Sequence, residues 1–114
     1  MASGRLVTGE NVRDIIFSLE GTVYFVSKML VENEENGLLT VVLTAKRLET
    51  ERMEELRVSV PPGVVEVVGD YVRRNEYDLL LVIVVQNKAV HWAFVSDSWL
   101  KRQLNAGAMR GYVV

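Results

Sequence analysis

The run Asp78-Leu79-Leu80-Leu81-Val82-Ile83-Val84-Val85 is apolar and rich in β-branched residues. It is far shorter than the roughly 20 residues that cross a bilayer. Its length and composition predict a strand buried on both faces, and so a sheet at the centre of the chain. Asn87-Lys88 follows as a tight turn into a second strand, Ala89–Val95. That turn sets Trp92 opposite Ile83 and Phe94 opposite Leu81, with both rings expected in the core. His91 falls on the alternate face with Val82, Val84 and Ala93, where a packed, hydrogen-bonded histidine is expected. A last helix, capped by Ser96 or Ser98, is predicted to end at Gly107.

Working upstream, Pro61-Pro62-Gly63 breaks the chain ahead of Val64, Val67, Val68, Tyr71 and Val72. Their spacing predicts an amphipathic helix with Glu66, Asp70, Arg73 and Arg74 on its wet side. Glu49–Arg57 reads as a charged link or short helix, and Glu55–Val60 as one short strand. Thr22–Glu32 and Leu38–Leu48 flank a polar loop ending in Asn36-Gly37, which predicts a β-hairpin. Near the start, Thr8-Gly9-Glu10-Asn11 offers a helix cap, followed by Val12, Ile15, Ile16 and Leu19 at helical spacing. The expected order is α-β-β-(β)-α-β-β-α. That is one α+β domain over residues 1–114, with a largely antiparallel sheet of four to five strands and about three helices. Residues 1–8 are expected to be a flexible lead and 108–114 a tail.

Composition narrows the chemistry. The 114 residues contain no cysteine and a single histidine, which leaves no disulfide, thiolate site or Cys–His pair. No metal or other cofactor is expected, although carboxylates could hold magnesium or calcium. MASGRLVTGEN lacks the apolar centre of a signal peptide, and a soluble cytoplasmic protein is expected. The net charge is −2, but it is unevenly spread. Seven glutamates between Glu32 and Glu55 make the middle acidic, whereas no acid follows Ser98 and Lys101, Arg102 and Arg110 are basic. Nine Arg, four Lys and many Glu and Val give a thermophile-like balance.

The first hairpin carries the sharpest site prediction. Alternation puts Val23, Phe25, Ser27, Met29 and Val31 on the core face with Leu39, Val41, Leu43 and Ala45. Tyr24, Lys28, Thr40, Thr44 and Lys46 then share the other face, Tyr24 opposite Lys46 and Val26 opposite Thr44. An aromatic ring among cations and hydroxyls on an open sheet suits single-stranded nucleic acid, which stacks bases on rings and sets phosphates on cations. The plainer reading is a half-wet face with a Tyr–Lys cross-strand contact. Trp99, Lys101 and Arg102, with Arg110 and Tyr112, form a second candidate contact. The rival reading there is a tail docked on a neighbouring subunit.

A nuclease reading fails on spacing. The order α-β-β-β-α-β resembles the core of restriction-endonuclease-like enzymes. However, Asp78 and Gln86-Asn87-Lys88 lie at opposite ends of one strand, roughly 26 Å apart at 3.3 Å per residue. Thr44-Ala45-Lys46 has threonine where that signature needs a carboxylate or amide, and its expected partners Tyr24 and Val26 are not acidic. A degenerate relative kept for binding is the form this resemblance leaves. Glu51, Glu54 and Glu55 at helical spacing read as a salt-bridged face with Arg52 and Arg57.

Val60-Pro61-Pro62-Gly63-Val64 leading into a helix, followed by the Trp92/Phe94 strand, resembles the small single-stranded DNA-binding proteins of hyperthermophilic crenarchaea. The likeness is one of architecture and carries no site positions. It implies a cleft of aromatic and basic groups, and assembly into oligomers. The expected function is a non-catalytic, homo-oligomeric module for single-stranded DNA or RNA, using Tyr24, Lys28, Lys46, Arg47, Trp99, Lys101 and Arg102. The alternative is an assembly module that ignores nucleic acid.

Overall fold

Three two-residue turns organise the chain. Glu20-Gly21, Asn36-Gly37 and Asn87-Lys88 each have positive φ at both positions. That is the signature of the type I′ turn, whose twist matches paired strands. At Gly37 (φ 81°) the absence of a Cβ removes the cost of this conformation. The computed structural model describes residues 4–8, 15–74, 78–96, 98, 99 and 102. Its elements are β1 (Arg5–Leu6), β2 (Ile15–Leu19), β3 (Thr22–Glu35), β4 (Leu38–Arg47), β5 (Met53–Val60), α1 (Pro62–Arg74), β6 (Leu79–Gln86) and β7 (Ala89–Ser96).

The strands form one mixed, seven-stranded sheet in the order β5-β4-β3-β2-β6-β7, with β1 added to the far half of β3. All pairs are antiparallel except β2 with β6. The chain is therefore mostly β, which corrects the expected α+β arrangement with about three helices. The first expected helix is the cause of much of the difference. Ile15, Ile16, Phe17 and Ser18 are all buried in β2, with neighbours on both sides. The helical spacing of Ile15, Ile16 and Leu19 came from a short continuous apolar run, in which period cannot separate strand from helix. The expected cap at residues 9–11, and Val12, lie outside the described residues.

Two further expectations change. Residues 5–6 are no loose lead but pair with Leu30 and Val31. The Val7 N–H donates to the Met29 carbonyl at 2.9 Å, and the Met29 N–H to Thr8 Oγ1 at 3.1 Å. The charged link is part strand, since β5 begins at Met53. Of the predicted last helix, Ser98, Trp99 and Arg102 are helical, and the Trp99 N–H donates to Ser96 Oγ at 3.0 Å, the geometry of a cap. The remainder of that helix and the tail lie outside the described residues.

The helix α1 forms where its valines and Tyr71 recur, and it buries Val64, Val65, Val68 and Tyr71 on one face of the sheet. Valine is a mediocre helix former, so this packing sustains the element. Beneath it lie Ile15, Phe17, Tyr24, Val26, Met29, Val41, Leu43, Ala45, Val60, Leu81 and Ile83. A smaller cluster on the opposite face joins Ile16, Val23 and Leu80 to Phe25, Leu48, Val82, Val95 and Trp99. The central run is thus buried on both sides at Leu80 and Leu81, as its composition predicts.

Candidate nucleic-acid interface

The side chains of the first hairpin are sorted by two irregularities in β3. Counting back from the Asn36-Gly37 turn, Glu35 pairs with Leu38 and Asn33 with Thr40. Glu32 is an extra residue, so Val31 pairs with Val41 and Lys28 with Thr44. Ser27 is a second extra residue, and beyond it Val26 pairs with Ala45, Phe25 with Lys46 and Tyr24 with Arg47. Each bulge moves the following residues to the opposite face. Ser27 Oγ donates to the Thr44 carbonyl at 3.2 Å, tying the bulge to β4.

The consequence reverses one expected platform residue. Met29 and Val31 face the helix and Lys28 faces away, as alternation predicts. Tyr24 and Val26, however, turn inward, and Val23 and Phe25 turn outward. Tyr24 is 6% exposed and leaves no free ring for a base. Its partner Arg47 lies on the same helix-covered face, with the guanidinium carbon 5.5 Å from the Tyr24 ring centroid. Arg47 Nη2 donates to Glu54 Oε1 at 3.1 Å, and Nε lies 2.7 Å from Glu54 Oε2. The Glu54 carboxylate chiefly, with Tyr24 assisting, pushes the Arg47 pKa up. Arg47 is thereby committed to a structural pair.

The face that α1 leaves uncovered carries a different aromatic beside the same lysine. Phe25, Lys46 and Met53 are neighbours across β3, β4 and β5, and Lys28, Thr44 and Glu55 form the next row. Phe25, Thr44 and Lys46 are half-buried; Lys28, Met53 and Glu55 are exposed. Neither lysine has an ion-pair partner among the described residues. Arg57, on the same face, does: its Nε donates to Glu32 Oε1 at 3.1 Å and its Nη2 to Oε2 at 3.0 Å. This pairing holds the Glu32 carboxyl below its usual range. Trp99 is half-buried and packs in the same small cluster as Phe25. Arg102 is exposed, whereas Lys101, Arg110 and Tyr112 lie outside the described residues.

The other sequence-derived candidates separate. Trp92 and Phe94 do pair with Ile83 and Leu81, but on the last strand of the sheet, 43% and 37% exposed rather than sealed in the core. His91 is exposed too, opposite Val84, and not packed as expected. The Asp78 carboxylate accepts from the Ser98 N–H at 3.3 Å and from Ser98 Oγ at 3.5 Å. Among the described residues, no three His, Cys, Asp or Glu side chains are grouped to hold a metal ion. No helix among them is long and apolar enough to cross a membrane. A shallow cleft of about 290 Å³ lies between β1 and α1, flanked by Arg5 and Arg73, but Arg73 is already paired with Asp70.

Comparison with protein-family models, curated proteins and solved structures finds no match to the chain. Phe25 is the residue that alternation alone assigned to the core. The one signal for it was Ser27, a small hydroxyl residue interrupting an otherwise bulky strand, where a bulge could reverse the faces.

Proposed function

We propose that the protein is a non-catalytic module that binds single-stranded nucleic acid on the sheet face opposite α1. The observation that carries this reading is the row Phe25–Lys46, with Lys28 and Thr44 beside it, on a face that is neither sealed nor fully charged. Phe25 offers a half-buried ring on which a base can stack, and its neighbours offer two cations and a hydroxyl for phosphate and sugar. Trp99, packed in the same cluster as Phe25, extends that surface. Arg57 contributes only by giving up Glu32, and Glu55 opposes any phosphate placed near Lys28. With a net charge of −2, the whole protein adds no long-range attraction, so contact must be local.

The test is anisotropy titration of labelled single-stranded DNA and RNA at two salt concentrations. Phe25→Leu keeps the apolar contact and removes the ring, and should weaken binding about tenfold, since stacking contributes roughly 1–3 kcal/mol per base. Tyr24→Phe should leave affinity unchanged. Lys28→Ala with Lys46→Ala should flatten the log–log salt slope by about 1.4, or roughly 0.7 for each phosphate that is no longer neutralised. No binding at low salt, or full affinity in Phe25→Leu, would reject this reading.

A further inference from the structure

Among the described residues β7 has a neighbour on one side only. The Glu20 N–H donates to the Val85 carbonyl at 2.9 Å, so Val85 directs its backbone groups towards β2 and away from β7. Backbone direction alternates along a strand. Val84, Val82 and Leu80 therefore bond to β7 through His91, Ala93 and Val95, their register partners. The N–H and C=O groups of Val90, Trp92 and Phe94 point the other way, outward from the sheet.

Natural edge strands are usually blunted by lysine, proline, a bulge or short length. β7 has none of these: it runs for eight residues, in regular register with β6, and carries no Asp, Glu, Lys, Arg or Pro. Of the five large apolar side chains exposed among the described residues, two, Trp92 and Phe94, belong to it. Both lie on the helix side. The Phe94 ring centroid is 6.3 Å from that of Tyr71, and a Cβ on Gly63 would come within 3.4 Å of Trp92 Cη2.

From this we infer that the occupant of the β7 edge is β7 of a second copy of this chain, antiparallel, about a two-fold axis at Ala93. The inference stands apart from the nucleic-acid reading. Only a register that matches outward groups with outward groups satisfies both backbones, and centring it on Ala93 does so with the fullest overlap. Trp92 then exchanges hydrogen bonds with Phe94 of the second copy, and Phe94 with its Trp92, while Val90 reaches Ser96. Ala93 faces itself at the non-hydrogen-bonded position, where the Cα atoms approach to about 4.5 Å and a small side chain fits best. Each Trp92 ring meets a Phe94 ring across the seam, covering the exposed aromatic area. The interface is isologous, so it closes at two copies. An antiparallel two-fold stands perpendicular to the sheet, so both α1 helices lie on one side and both Phe25–Lys46 rows on the other.

The chain has no cysteine, which makes a clean test. Ala93→Cys places a lone thiol on the axis, within disulfide reach of its copy. Under mild oxidant it should cross-link to a dimer at least tenfold faster than Ser59→Cys, an exposed control on the opposite edge strand β5. Light scattering on the wild type should give twice the 12.9 kDa chain mass. Ala93→Lys and Ala93→Glu should each be monomeric, with unchanged circular dichroism, and an equimolar mixture of the two should recover the dimer. A wild-type monomer at high micromolar concentration, cross-linking no faster than the control, or a dimer indifferent to both charges would overturn the inference.

Discussion

On the helix side of the sheet, Phe17, Ile15, Met29, Leu43, Leu81 and Ile83 are wholly sealed. On the other side Ile16, Ser18, Val23, Val42 and Leu80 approach that state, whereas Phe25, Thr44 and Lys46 remain half-open. One element makes the difference: α1 lies across the first face, whereas Leu48 and Trp99 are the described residues beyond the strands that pack on the second. A dry face tolerates little change of volume because its side chains have no room to relax. A half-wet face can hold charge beside apolar carbon, as recognition requires. Stability and binding should therefore separate by face.

The largest effect expected of that separation is on stability. Phe17→Ala, at zero exposure beneath the helix, should cost about 3–5 kcal/mol in chemical denaturation. Phe25→Ala removes the same atoms from the half-open face and should cost clearly less. Equal losses would mean that the second face is as tightly packed as the first and is no platform. A smaller effect tests the charge on that platform. Glu55 pairs with Thr44, next to Lys28 in the same row. Glu55→Gln removes one repulsion at a separation of several ångströms in water and should raise oligonucleotide affinity roughly twofold at low salt. No gain would place the phosphates elsewhere.

The two edges differ as sharply as the two faces. β5 presents Glu54, Glu55 and Arg57, the charged pattern that discourages edge pairing, and β7 presents none. These differences also explain what could be read in advance. The β6–β7 hairpin was legible to the individual pair, Ile83 with Trp92 and Leu81 with Phe94, because a two-residue turn joins two regular strands. The rings' exposure was not, because alternation gives a residue's face but not whether its strand lies at an edge. Tyr24 was misplaced because the bulge at Ser27, between Met29 and Val26, reverses the count along β3, and a lone serine is a faint signal of it. β2 was hidden for a different reason: five apolar-rich residues are fewer than two helical turns, too few to fix a period. β1 is only two residues long and exists because β3 outruns β2.

The smallest expected effect concerns the ion pair that shares the open face. Arg57, by hydrogen bonding first and by charge second, holds the Glu32 carboxyl below its ordinary range, against an opposing desolvation effect. A carboxyl whose folded-state pKa is depressed contributes stability that is complete above its unfolded pKa. That contribution fades as pH falls through the folded value. Glu32→Gln should accordingly lower the denaturation midpoint slightly at neutral pH, and the difference from wild type should vanish in acid below the carboxylate range. Because Arg57 is largely exposed, added salt should shrink the neutral-pH difference. The same substitution frees Arg57, so oligonucleotide affinity should rise as stability falls. A variant that lost both together would show Glu32 holding the bulge, and with it the face of Phe25, in place.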